Sequence, residues 1–222
     1  MRRYERDMDT EAEENADDKP TGWRGSAEVW REAAQAALVE GGIDAVKIQP
    51  LAAQLQLSRT SFYWFFKDRQ ALLDALLMAW EETTTGAIVT AAEAHADTIT
   101  EAVLTLIAVF LADNTFDARL DFAVRSWAQQ DARVMARVNA ADAARLEAIR
   151  GMFDRHGFDS AEADVRARTI YLVQIGYISM QVQETLPTRL ARIPAYVKTY
   201  TGQVPSPRDL KRFHARLGVS SQ

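Results

Sequence analysis

The sequence predicts an all-α fold, an N-terminal three-helix unit of helix-turn-helix type followed by a longer helical body. Three observations carry this expectation. Residues 57–77 set a short polar-nosed helix and an aromatic run (Phe62, Tyr63, Trp64, Phe65, Phe66) ahead of a strongly periodic segment. In that segment Leu72, Leu73, Leu76, Leu77 and Trp80 recur at i, i+1, i+4, i+5 and i+8, the spacing of one buried helix face. From about Ala87 onward, alanine-rich stretches keep helical periodicity and show no strand-like alternation. With 222 residues, 48% of them hydrophobic, the chain can bury a sizeable core in two helical domains or one elongated one.

Taken in order, residues 1–21 read as a disordered acidic tail. They carry eight acidic against four basic side chains and few large apolar groups, too little to offset the entropy of ordering. This segment accounts for −4 of the net charge of −5 and leaves −1 for the remainder. The overall acidity therefore does not decide against a polyanionic partner, because phosphate affinity depends on the charges at the docking face.

Residues 22–80 form the expected first domain. Its first helix runs from Ser26 to about Val39, with Trp30, Ala33, Ala34, Ala37 and Leu38 on one stripe, and Gly41-Gly42 stops it. Pro50 stands in the first turn of a second helix, where its missing amide costs little, and Leu51, Ala52 and Leu55 face inward. Gln56-Leu57 makes a turn into a third helix over roughly 59–65, capped by Ser58, and Lys67-Asp68-Arg69 opens the next. A short helix, a tight turn and a braced polar-nosed helix form the helix-turn-helix pattern. Such a nose suits the major groove, and nearby donors suit phosphate.

Arg59, Thr60 and Ser61 are the leading candidates for DNA contact, Arg59 for guanine edges and the hydroxyls for bases or phosphate. Lys47 and Gln49, at the start of the preceding helix, are further candidates, and Trp64 and Phe65 can meet sugar or backbone. Phe62 and Phe66 read as core.

Residues 81–222 form the expected helical ligand-binding and dimerisation body. Helices are expected over Thr98–Ala112, ended by Asp113-Asn114, then from near Phe116 through Trp127, and over Ala132–Arg155. Asp159 or Ser160, with Glu162 as capping-box partner, opens a helix expected to run to Leu186, where Pro187 ends it. That helix carries two apolar stripes, Ile170, Val173, Tyr177 and Met180 on one and Tyr171, Ile175, Ile178 and Val182 on the other. Two stripes imply burial on both sides, with Gly176 permitting close approach, so Tyr171, Ile175, Gly176, Ile178 and Val182 are expected at a homodimer interface. A shorter helix over 188–200 and a last one opened by Ser206-Pro207 follow, the last packed against the body.

A small-molecule pocket in this body needs apolar walls and a few polar groups. Phe110, Phe116, Trp127, Met152, Tyr171, Gln174 and Tyr177 are the candidates, with Arg125 and Gln181 as further polar partners. Plain core is the competing reading for aromatic and methionine residues at helical spacing.

Tyr63, Phe66, Lys67, Leu72 and Leu51-Ala52 resemble the helix-turn-helix signature of the TetR family of bacterial transcriptional regulators. Tyr63-Trp64, Lys67 and Ala71–Leu76 are especially similar to the tetracycline repressor that gives the family its name. The resemblance covers roughly residues 26–80. It implies that Tyr63 and Lys67 grip phosphate, and that the helices over 132–156 and 160–186 form a four-helix dimer bundle. It further implies a double-stranded DNA operator, a small-molecule effector, and repression relieved by that effector. The chain departs from the family pattern at Lys47 (commonly a threonine cap), Gln56 (commonly glycine), Thr60, Phe65, Arg69 and Gln70; Gln56 calls for a positive φ without glycine.

Other functions find little support. With no cysteine there is no disulfide, thiol nucleophile or cysteine zinc site, and His95, His156 and His214 lie far apart, so neither metal nor cofactor is expected. No phosphate loop, nucleophile elbow or HExxH occurs, and no enzymatic role is expected. No apolar run nears the roughly 20 residues of a membrane span, which with the acidic N-terminus leads to the expectation of a cytoplasmic protein. Two alternatives stay open, a helical ligand-binding or scaffold dimer without DNA binding and, behind it, a small helical enzyme without a recognisable motif.

Overall fold

A computed structural model describes residues 25–112 and 116–219, and among these there are helices and turns but no strand. The acidic tail and the Asp113-Asn114 break lie outside the described residues.

Helix α1 (Ala27–Gly41) begins where Ser26 Oγ accepts the Val29 amide at 3.2 Å, and Gly42 closes it at φ 71°. A 3-10 turn (Ile43–Ala45) leads to α2 (Ile48–Gln54), whose cap position Lys47 makes no side-chain capping bond. Gln56 takes φ 55°, the left-handed conformation its place in the turn requires, and the Leu57 amide donates to the Ala52 carbonyl at 2.9 Å. Helix α3 (Arg59–Phe62) is shorter than the 59–65 expected. The Phe65 and Phe66 amides both donate to the Phe62 carbonyl at 3.0 Å, so the aromatic run leaves the helix in tight turns. Asp68 then caps α4 (Arg69–Trp80), and all five residues of its expected stripe are buried.

The chain does not break after Trp80. It passes through a π-helical turn (Glu81–Thr85) into α5 (Gly86–Glu93). Thr84 Oγ1 donates to the Trp80 carbonyl at 2.5 Å and Thr83 Oγ1 to the Ala79 carbonyl at 2.7 Å. Such back-bonding by β-branched threonines competes with the ordinary ladder and accounts for the bulge.

The body continues with α6 (Ile99–Leu111), α7 (Ala118–Ala128), α8 (Ala132–Arg155), α9 (Ser160–Ser179), α10 (Leu186–Thr201) and α11 (Pro207–Arg216). Each of the six has a side-chain cap, from Thr98, Asp117, Asp131, Asp159, Thr185 and Ser206 in turn. Three expectations are corrected here. Helix α9 stops at Ser179 rather than near Leu186, because Gln181 turns left-handed at φ 49°. Pro187 starts α10 instead of ending α9, since its fixed φ and missing amide suit a first turn. Asp159 does cap α9, but Glu162 pairs with Arg166; the capping box forms at Ser206 and Asp209.

Packing divides into two cores. One gathers Trp30, Leu38, Leu51, Phe62 and the α4 stripe, and extends into α7 and the start of α8 through Leu120, Val124, Trp127, Val134 and Val138. The other centres on α6, with α5, the end of α8, α9, α10 and α11 around it. Helix α11 locks onto α6 through Thr100 Oγ1–Asp209 at 3.0 Å and Arg212–Glu101 at 2.6 Å.

Candidate nucleic-acid interface and effector cavity

The head is organised by Phe62. Its ring, fully buried, meets Trp30 edge-on at 5.2 Å, Tyr63 at 5.3 Å and Phe66 in a stack at 5.6 Å. Arg69 pins the preceding turn by donating to the carbonyls of Val46 at 2.5 Å and Ile43 at 2.8 Å. Fixed from both sides, α3 and the turn after it present an outward surface of Arg59, Thr60, Tyr63, Trp64, Phe65 and Lys67, with Lys47 and Gln49 of α2 also exposed. Tyr63 and Trp64 are 48% and 68% exposed. Adjacent aromatic rings in water are unfavourable unless a partner covers them. Arg59 donates to the Tyr63 hydroxyl at 3.3 Å, so the guanidinium is aligned beside the ring before any ligand arrives.

Ser61 is the exception among the expected contacts. It is 6% exposed, its hydroxyl donates to the Ser58 carbonyl at 2.7 Å and its amide to Ser58 Oγ at 3.1 Å. It braces the start of α3 and is not available to a groove.

A cavity of about 370 Å³ opens in the body, within the range of small-molecule sites. Four of the seven candidates line it, Phe110, Phe116, Gln174 and Tyr177, as does Gln181 of the two further polar partners. Three do not. Trp127 belongs to the head's core, Met152 is buried among α8 contacts of the second core, and Tyr171 enters a polar network described below. Sequence reasoning missed Arg119, Phe122, Gln183 and Arg189, and placed Ile178 and Val182 at a subunit interface although both line the cavity. Arg119 and Phe122 stand one turn apart on α7, a signal the sequence did contain; Arg189 looked like any arginine on a surface helix.

The expected interface is corrected further by burial. Tyr171 faces inward and Ile175 and Gly176 are half-buried, whereas Val165 (62% exposed) and Leu172 (58% exposed) form the outward apolar line of α9. Two stripes do exist on this helix, but the outer one is rotated from the one expected. Exposed Ala143 of α8 shares a shallow groove with Asp164 and Arg168 of α9.

Between head and cavity lies a buried polar network. Asp121, fully enclosed, accepts from Trp80 Nε1 at 3.0 Å, Arg125 Nε at 2.7 Å and Arg145 Nη1 at 3.3 Å. Arg145, equally enclosed, donates to Thr84 Oγ1 at 2.7 Å, Thr85 Oγ1 at 3.0 Å and the Tyr171 hydroxyl at 3.0 Å. Arg125 forks onto Asp142 at 2.6 and 2.9 Å, and Tyr171 donates to the same carboxylate at 2.6 Å. Two guanidinium groups thus balance two carboxylates, which is what makes the burial tolerable. Burial alone would raise the Asp142 carboxyl, but the hydrogen bonds from Arg125 and Tyr171 and the nearby arginine charges hold it below the ordinary carboxylate value. Burial pushes the Tyr171 hydroxyl up, keeping it a neutral donor. Arg125, expected as a pocket residue, is committed here. The Arg145 guanidinium also lies over the rings of Trp80 at 5.1 Å and Phe116 at 5.9 Å, and Phe116 lines the cavity.

Among the described residues no helix is long and apolar enough to cross a membrane.

Comparison with known proteins follows the same lines. Residues 31–76 match the family of bacterial regulatory proteins described as the tetR family. A crystal structure of a TetR-family transcriptional regulator from Mesorhizobium loti MAFF303099 shares the fold. It covers 85% of this chain and 95% of its own, at 13% identity and a TM-score of 0.55. The TetR family repressor AlkX from Dietzia sp. Strain DQ12-45-1b is 19% identical, over 80% of this chain and 98% of its own, with a TM-score of 0.45. No curated protein matches the chain in sequence.

Proposed function

We propose that this chain, which belongs to the TetR family of bacterial regulatory proteins, acts as a homodimeric repressor that a small molecule in the α7–α9 cavity releases from its operator. Residues 22–80 serve as the DNA-reading head and 81–222 as the ligand-binding and dimerisation body. Arg59 and Thr60 meet base edges, and Lys47, Gln49, Tyr63, Trp64 and Lys67 meet the backbone.

The observation that carries the reading is the position of α7. Ala118, Arg119 and Phe122 of this helix line the cavity, while its Asp121 and Arg125 hold Trp80 at the end of α4 and Asp142 of α8. A ligand that moves α7 therefore acts on α4, which follows α3 in the chain and shares one core with its Phe62. A ligand preferring the displaced arrangement lowers operator affinity by the ratio of its affinities for the two states, typically about 5–150-fold.

The outward line of Val165 and Leu172 on α9 supplies the dimer face. A Cβ added at Gly176 would meet nothing within 4 Å, so a partner helix has room there. Two heads on such a dimer read half-sites about 34–36 Å apart. Replacing Leu172 with Glu is expected to give monomers by sedimentation and to weaken DNA binding with the fold intact.

The test is binding of the full chain to the DNA upstream of its own coding region, across a salt series with random DNA as competitor. Specific binding that weakens with salt and is lost in Arg59→Ala supports the regulator. Absence of any preferred site in a genome-wide selection would make a non-DNA scaffold the better account.

A further inference from the structure

We infer that the cavity is built for an anion with an aromatic or otherwise flat apolar body, held by Arg189 and Arg119 against a wall of phenyl rings. This rests on the reading of the cavity as the effector site and names the chemistry of its ligand.

The walls divide by type. Phe110, Phe116 and Phe122 supply the apolar surface, with Phe110 and Phe116 in contact at 5.0 Å. The charged lining residues are Arg119 and Arg189, and no described lining residue is acidic. Among the described residues neither guanidinium has a carboxylate within ion-pair distance. The arginines around them behave otherwise: Arg125 is paired with Asp121 and Asp142, and Arg192, three residues from Arg189, with Glu184. Arg189 instead rests over the Tyr177 ring at 4.8 Å, which orients the guanidinium without neutralising it. An arginine stacked in this way keeps its fork of donors for a carboxylate, sulfonate or phosphate.

A second observation points the same way. A separate small crevice shares Gln174, Tyr177 and Arg189 with the cavity and is lined further by Ile193, Tyr196 and Tyr200. The Tyr200 hydroxyl is buried there without a hydrogen-bond partner. A buried donor left unsatisfied is unfavourable, so this end of the body holds an unused polar group beside the residues that both hollows share.

The test uses two dyes with the same ring system, 8-anilinonaphthalene-1-sulfonate, which carries one negative charge, and N-phenyl-1-naphthylamine, which carries none. Fluorescence titration of the full chain is expected to show one site per chain with the anionic dye bound at least about tenfold tighter. Arg189→Gln with Arg119→Gln is expected to abolish that preference and leave the neutral dye unchanged. Lys211→Gln, which removes a charge on α11, is expected to keep it. Phe122→Ala is expected to weaken both dyes. Equal binding of the two dyes, with Phe122→Ala weakening both, would overturn the anion assignment alone. Binding indifferent to Phe122→Ala would place the dyes elsewhere and overturn the cavity as a ligand site as well.

Discussion

The surface proposed to meet DNA comes from one short stretch, chiefly residues 59–67, braced by rings in the same stretch and by Trp30. The cavity instead collects residues from Val39 to Arg189, brought together by packing of helices distant in sequence. The first surface is convex, aromatic and basic; the second is concave, aromatic and basic. What differs is how each is held. The head depends on local caps and an apolar core, the body on a charged network in which every member needs the others. A site built locally should tolerate loss of a contact residue without losing its fold, whereas a site built around buried charges should not.

The largest expected effect lies in the network. Arg145→Ala leaves Asp121 enclosed with one guanidinium fewer and takes a donor from the Thr84 and Thr85 hydroxyls, and is expected to cost about 3–5 kcal/mol in urea unfolding. On the same helix Arg150 pairs with Glu147 and Asp154 toward solvent, and Arg150→Ala is expected to leave the urea midpoint almost unmoved. Equal costs would break the contrast between buried and exposed pairs.

Next in size is Arg59→Ala, expected to lose about 1–3 kcal/mol of specific DNA affinity while the melting temperature barely moves. Lys67→Ala is expected to weaken binding to all sequences alike and lower the salt slope by about 1.

The network should also show itself in acid. Asp142 is held below its unfolded value of 3.8, so the stability it contributes is complete above that pH and is lost as pH falls through the lower folded value. Urea midpoints measured from pH 7 down to 3 are expected to drop most steeply below about pH 4, and Asp142→Asn is expected to flatten that drop.

The smallest effect is expected at Gln56, where φ is 55°. Glycine removes the side-chain penalty of that conformation and adds backbone freedom to the unfolded chain. The net gain from Gln56→Gly is expected to be under about 1 kcal/mol, read as a small rise in melting temperature.

Legibility followed the same division. The Ser58 and Ser206 caps, the α4 stripe and the positive φ of Gln56 could be read because each depends on neighbours within a few residues. The burial of Ser61 could not, since its hydroxyl turns back to the Ser58 carbonyl and nothing in its type or position says so. Tyr171 was visible as an apolar aromatic, but its partners Arg145, Arg125 and Asp142 lie 26 to 46 residues away on other helices. The outer face of α9 was misjudged for a related reason. Periodicity shows that a helix has two apolar sides, but only packing decides which is covered by its own chain. The π turn at 81–85 was missed because threonine back-bonding leaves no mark on hydrophobic spacing.

The most direct measurement is selection of binding sites from a random DNA library by the full chain, run in parallel with Arg59→Ala. The account expects enrichment of a two-fold symmetric sequence whose half-site centres lie about 34–36 Å apart, absent from the variant's pool. An unenriched pool from the intact chain, or the same enriched sequence from both proteins, would contradict the claim that α3 reads DNA.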